Sequence, residues 1–261
     1  MNMIWKKARE TAMSKKKKFF ISFLIMLMIL ICVFCIILDF YRFSSLPHDQ
    51  ELFSSYLIKR MIVLLSVVIV FAAGKDSYHP KDYQKMKIIF LVIGLGETAF
   101  LLENTISAVL LFFICHFLLI LRNGKGLKNK LINADARVKT KLRLSALCIG
   151  IISIVLITLF YTCLPLKSNS LPVISYIYLI ILSISFWVGL AAYLLNLFPL
   201  INAQMIAVGT ACFYCCDLLV GIDIFIHSSY AGLLISSAVW VFYTPALLFL
   251  ALSCYKFTKF C

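Results

Sequence analysis

Apolar residues run along this chain in eight stretches separated by short polar segments. The stretches cover about 19–38, 57–73, 86–102, 106–121, 143–164, 173–197, 205–221 and 232–253. A helix crosses a hydrocarbon core ~30 Å thick with about 20 residues, fewer when it is short or lies between neighbours. The third and fourth stretches are joined tightly through Glu103 and Asn104, and together they are too long for one span. The stretch 205–221 is short and carries Asp217, which sets it apart from the others. The pattern predicts an all-α polytopic membrane protein of about eight transmembrane helices. Residues 1–18 form a basic cytoplasmic segment, 19–253 one transmembrane domain, and 254–261 a short cytoplasmic tail.

The placement of basic residues tests that reading, because cytoplasmic loops carry an excess of Lys and Arg. With the N-terminus inside, all but four of the 25 Lys and Arg fall on the inner side. The exceptions are Arg42, Lys59, Arg60 and Lys167. Removing any one helix would put basic loops on both sides. Both termini are therefore expected in the cytoplasm, and the chain in the plasma (cytoplasmic) membrane. Composition agrees: 63% of residues are hydrophobic and 14% charged, with a mean hydropathy of +1.01. Soluble domains keep about 25% charged residues. The net charge of +14 is thus a mark of topology. A nucleic-acid partner is not expected, since that needs a basic patch on a folded soluble surface. The basic side would also attract anionic lipid headgroups.

Two features of the sequence invite readings that do not hold. The run Lys15 to Lys18 followed by apolar residues looks like a signal peptide, but no small-residue cleavage site follows before Asp39. It reads as a retained first helix. The ten cysteines include a C-x-x-C-C run at Cys212, Cys215 and Cys216. A zinc or redox site would want a second cluster or a loop setting. Within an apolar run these thiols read as small buried apolar residues.

Charge at mid-bilayer costs about 2.5–3.5 kcal/mol on insertion scales, so ionisable residues there are functional candidates. Three stand out: Glu97, His116 and Asp217. Asp39, Glu103, Asp223 and His227 fall near helix ends, where water is within reach. From the 1.5 Å rise per residue, Glu97 lies about 16 Å and Asp217 about 18 Å along helices running the same way, and His116 about 8 Å above the cytoplasmic face. The two carboxyls are therefore expected at one level, with His116 apart from them. Burial and mutual repulsion raise the pKa of at least one member of such a pair. One carboxyl would then act as general acid and the other would orient water as base, which suits hydrolysis of an acid-labile bond. Two neutral carboxyls hydrogen-bonding between helices for packing would read the same way. Gly94 and Gly96 would let neighbouring helices approach closely. The residues imply no metal-ligand set and no cofactor, and no G-x-S-x-G motif occurs.

The stretch Gly94-Leu95-Gly96-Glu97-Thr98-Ala99-Phe100-Leu101-Leu102, then Phe112-Phe113-Ile114-Cys115-His116, resembles a hallmark of the YhhN-like family. That family includes the membrane lysoplasmalogenases. A second hallmark is similar to Gly209 followed by Cys216-Asp217-Leu218-Leu219-Val220-Gly221-Ile222-Asp223-Ile224-Phe225. Lys59-Arg60 stands where the family has Lys-Pro, Tyr176 or Tyr178 where it has a Tyr, and Tyr243 with Ala246 where it has Tyr-x-x-Ala-Gln. The likeness covers about 55–253, and eight helices is the family's count. Four positions depart from the pattern: Glu97 for Asp, Cys216 for Ser, Arg60 for Pro and Leu247 for Gln.

The resemblance implies a membrane hydrolase that cleaves the vinyl-ether bond of a lysophospholipid (a lysoplasmalogen), releasing a fatty aldehyde and a glycerophospho-headgroup. It implies Asp217 and Glu97 as the catalytic carboxyls and His116 as a proton relay. Lys59 would bind the lipid phosphate, with Tyr176, Asp223 and Tyr243 as further substrate-binding residues. Two alternatives stay open. One is a hydrolase of another ether or ester lipid on the same fold. The other is a non-enzymatic lipid- or ion-handling membrane protein. Inverted-repeat transporters carry broken helices at matching positions in their halves. Pro172, Pro199 and Pro245 have no counterpart in the first half. Oligomeric state is left open.

Overall fold

The computed structural model describes residues 13–45, 54–163, 171–225 and 229–257. Among them the chain forms nine α-helices and no strand. These are α1 (Lys15–Ser45), α2 (Ser54–Ala73), α3 (Pro80–Leu101), α4 (Thr105–Asn123), α5 (Leu127–Ile132), α6 (Ala136–Cys163), α7 (Leu171–Leu194), α8 (Leu200–Phe225) and α9 (Ser229–Leu252). Arg42 has no described side chain, and Lys167 and His227 lie outside the described residues.

Local chemistry sets the helix ends. The His79 side chain accepts from the Lys81 amide at 3.1 Å, and Pro80 supplies the first helical residue of α3. That start lies six residues before the apolar run begins. Asn104 caps α4 by accepting from the Ser107 amide at 3.1 Å, and Glu103 makes the tight turn with a φ of 56°. In the long basic loop the chain adds the short helix α5, entered through Gly126 at φ 83°. The apolar pattern gave no sign of it. Helix α8 starts at Leu200, earlier than its apolar run, and is 26 residues long.

Among the described residues, seven helices are long and apolar enough to cross a membrane: α1, α2, α4, α6, α7, α8 and α9. The eighth, α3, carries Lys81, Asp82, Lys85 and Lys87 in its first turns, which lowers its apolarity. Its 22 residues are about 33 Å long. It runs antiparallel to α4 along the full length of that helix. Asp82 meets Arg122 at one end, and the Asn104 turn closes the other. It therefore traverses the same layer as its neighbours.

Six helices close into a ring in the order α2, α3, α4, α7, α8, α9 and back to α2. Helix α1 lies outside, against α2 and α9, and α6 lies outside against α7. Close approach in the ring depends on small residues. A Cβ on Gly96 would stand 2.9 Å from the Phe112 ring, and one on Gly209 would stand 2.9 Å from Leu250. Gly94, by contrast, faces open space, so of the two glycines before Glu97 only Gly96 serves packing.

The up-and-down course brings the basic segments to one end. There Lys17 donates to the Ala73 carbonyl at 2.8 Å and pairs with Asp76 at 2.5 Å. The chain after α9 folds back beneath the ring. The Tyr78 amide donates to the Cys254 carbonyl at 2.7 Å, and the Lys256 amide to the Asp76 carbonyl at 2.8 Å. Together these contacts tie the N-terminal end of α1 and the chain after α9 to the connection between α2 and α3.

Candidate functional site

Inside the ring, toward the other end, lies a cavity of about 100 Å³. Its walls come from α3, α4, α7, α8 and α9, and they are mostly apolar, with Phe100, Phe112, Leu182 and Trp240 among them. The polar groups on the wall are Glu97, Ser175, Tyr178, Asp217 and Tyr243. An apolar pocket with a few converging polar groups is the usual form of a small-molecule site.

Asp217 is the centre of the polar set. Its Oδ2 stands 2.8 Å from His116 Nε2, and the same oxygen accepts from the Tyr178 hydroxyl. Three helices, α4, α7 and α8, thus meet on one carboxylate oxygen. His116 is 1% exposed, held edge-on by Tyr178 and tilted against Phe213, whose ring centroid is 4.7 Å away. Its second nitrogen, Nδ1, has no hydrogen-bond partner among the described residues. The sequence placed His116 apart from the carboxyls. That estimate took helix depth from residue rise alone and set every helix start at one level, and the side-chain contact overturns it.

Glu97 lies on the same cavity wall but has its own partner. It forms an ion pair with Arg60 of α2, and the Arg60 guanidinium carbon lies 5.8 Å from the centre of the Trp240 ring. The two carboxyls therefore share a cavity, each with a separate partner, and not a carboxyl–carboxyl contact. Arg60 and Glu97 are two of the four positions that depart from the family pattern, and they meet each other. Arg60 had been noted only as a departure; its part in the site follows from α2 closing the ring.

The substrate-binding candidates separate. Tyr243 lines the cavity, 3% exposed, against Phe112, Phe213 and Trp240. Its hydroxyl has no partner among the described residues. Lys59 is turned away into a buried interhelical pair with Asp39 at 2.6 Å, where Ser237 also donates at 3.0 Å. Asp39 is 3% exposed, so it does not reach water as its place near a helix end suggested. Tyr176 is not on the cavity wall; Tyr178 is. Two residues are about 200° apart on a helix, so one of the pair had to face away. Asp223 sits half-buried further along α8, beside Gly232 of α9. Of the C-x-x-C-C run, Cys216 reaches the cavity, and all three thiols are free.

A second buried charge lies at the basic end. The Arg122 side chain is fully buried and forks onto Asp82, with Nε and Nη2 each 2.8 Å from a carboxylate oxygen. Its Nη1 donates to the Ser253 hydroxyl at 2.9 Å and to Asn123 at 3.4 Å. Asn202 donates to the carbonyls of Ser253 and Tyr255, both at 2.7 Å. Burial pushes the neighbouring Cys254 thiol up to about 12, with Arg122 pulling it back and Asp82 adding to the rise. Burial raises the Tyr255 phenol too. The sequence counted Arg122 as one more loop charge. Only the fold-back of the chain after α9 buries it.

Among the described residues, eight helices of membrane-spanning length, six of them enclosing a polar cluster, define an integral membrane protein with a candidate site inside its helix ring. The chain matches the YhhN family over residues 54–254. It belongs to that family. The match begins with α2, so it covers the closed ring and leaves out α1. No curated protein and no solved structure matches the chain.

Proposed function

We propose that the protein is a membrane hydrolase of the vinyl-ether bond of lysoplasmalogens. The observation that carries this reading is Asp217 held by His116 and Tyr178 on the wall of an apolar cavity that also contains Glu97. Family membership and the resemblance to lysoplasmalogenases supply the substrate class. The cluster supplies a proton, and the cavity suits an alkenyl chain entering between helices.

The chemistry runs in three steps. A proton shared by Asp217 and His116 passes to the alkenyl carbon distal to the ether oxygen, leaving an oxocarbenium ion. The Glu97 carboxylate, across the cavity, stabilises that cation by charge. Water then adds to the carbon bonded to oxygen and returns a proton to the Asp217–His116 pair. The resulting hemiacetal collapses to a fatty aldehyde and the free glycerol hydroxyl of the headgroup product. One water is consumed and the proton is recovered. Tyr178 acts as a positioning residue, fixing Asp217 through the oxygen that also faces His116. A fixed general acid contributes typically 10²–10⁴-fold.

The test is aldehyde release from lysoplasmalogen by detergent-purified protein. Turnover in the wild type, lost in Asp217→Asn and strongly reduced in Glu97→Gln, is the expected result. Wild-type protein that releases no aldehyde, or turnover indifferent to both substitutions, would overturn the proposal.

A further inference from the structure

At the basic end, α5, α6 and α7 form a groove of about 300 Å³ well away from the central cavity. Its lining is Leu131, Lys139, Leu142, Arg143, Ala146 and Trp187. The arrangement is layered. Leu142 is buried and its carbonyl accepts from the Trp187 indole at 3.2 Å, so the floor is apolar and fixed. Lys139 and Arg143 stand four residues apart on one face of α6, one turn above each other. Lys139 spends one donor on the Ile132 carbonyl at 2.9 Å, which pins the end of α5, and keeps two more. Arg143 is exposed and makes no ion pair among the described residues. Asp135 is the one acidic residue between Arg122 and Arg143, against six further Lys and Arg.

Below this cationic rim the same face of α6 turns wholly apolar. Leu147, Ile151 and Ile154 are each more than half exposed, and Gly150 leaves an opening where a Cβ would meet nothing within 4 Å. Helix α6 packs chiefly on α7, so this lane is left to lipid. Phosphate-sized cation pairs above an open apolar lane, with an indole at the boundary, match the two halves of a phospholipid at the water interface.

We infer that this groove binds one anionic phospholipid, its phosphate between Lys139 and Arg143 and one acyl chain along α6 past Gly150. The site is independent of the hydrolase reading, because the lipid held there is a bound partner and not a substrate. It pins α5 and α6 to α7, the helix on which α6 chiefly packs among the described residues. Electrostatic attraction falls by about thirtyfold in affinity when two such cations are removed.

The experiment is titration of delipidated, detergent-purified protein with phosphatidylglycerol, phosphatidylcholine and inorganic phosphate, reading bound lipid by native mass spectrometry and melting temperature. One phosphatidylglycerol should bind per chain, at least tenfold more tightly than phosphatidylcholine, with no shift from inorganic phosphate. K139Q/R143Q should lose about thirtyfold, and R143Q alone, which breaks no ion pair among the described residues, should lose a substantial part of that. K128Q/K141Q, an equal change of charge outside the groove, should change affinity by less than about twofold. Equal loss in the control pair would show only the field of the whole basic end and overturn the site. A phosphate-only shift would overturn the lipid, and so would conversion of a dimer to monomer on lipid addition, which would place a second copy on α6.

Discussion

Arg122 at the basic end and Asp217 in the ring are both buried ionisable residues in a membrane protein, yet their surroundings differ in kind. Every nitrogen of Arg122 has an acceptor, from Asp82, Asn123 and Ser253, so its charge is fully paired, and only the Asn123 amide nitrogen beside it lacks a partner among the described residues. Asp217 borders an open cavity, and close to it His116 Nδ1 and the Tyr243 hydroxyl lack partners among the described residues. Buried polar groups are normally satisfied, and an unsatisfied one calls for an explanation. A network in which the buried charge is fully paired holds helices together. One that leaves donors and acceptors at the edge of a cavity is arranged for something that enters. The Asp39–Lys59–Ser237 cluster belongs to the first kind: it ties α1 to α2 and α9.

Substitutions sharpen that contrast. Asp217→Asn should cut turnover by about 10²–10⁴-fold while leaving the melting temperature nearly unchanged, since an amide can still accept from Tyr178. Asp82→Asn should do the reverse. It strands a buried guanidinium, a loss of about 3–5 kcal/mol, seen as a lower melting temperature in detergent, while turnover per folded molecule stays close to wild type. Gly209→Ala pushes a methyl toward Leu250 at 2.9 Å and should cost about 1–3 kcal/mol by overpacking, again without a separate effect on turnover. The last effect shows only in alkali. Burial raises Cys254 from its ordinary 9.0 to about 12 in the folded protein. The protonated thiol's contribution to stability is therefore complete below pH 9.0 and is lost as pH rises toward about 12. A Cys254→Ala variant should show a shallower decline in melting temperature across that window.

Much of the architecture could be read from the chain because membrane helices announce themselves by length and apolarity. All eight spans coincide with helices, and the charged start of α3 explains why it is the least apolar of them. Glu97, His116, Asp217 and Tyr243 all lie at the cavity or, for His116, directly behind its wall. The errors came from a different source. A helix that is apolar nearly all round gives no inward face to read. Nothing in the sequence separated Tyr176 from Tyr178, or Lys59 from Arg60, though the two members of each pair point in different directions. Depth counted from helix rise missed the His116–Asp217 contact, because helix ends and tilts are set by packing. Arg122 and Asp39 were taken for interfacial charges, and their burial depends on segments distant in sequence. Helix α5 carries too few residues for an apolar period to show.

The central claim is that the Asp217 cluster performs chemistry while the Arg122 cluster performs support. The most direct measurement is aldehyde release from lysoplasmalogen, normalised to folded protein, for wild type, Asp217→Asn and Asp82→Asn side by side. The account predicts turnover in the wild type, its loss in Asp217→Asn at unchanged melting temperature, and its retention in the folded fraction of Asp82→Asn. Absence of turnover in the wild type, or equal turnover in wild type and Asp217→Asn, would contradict it.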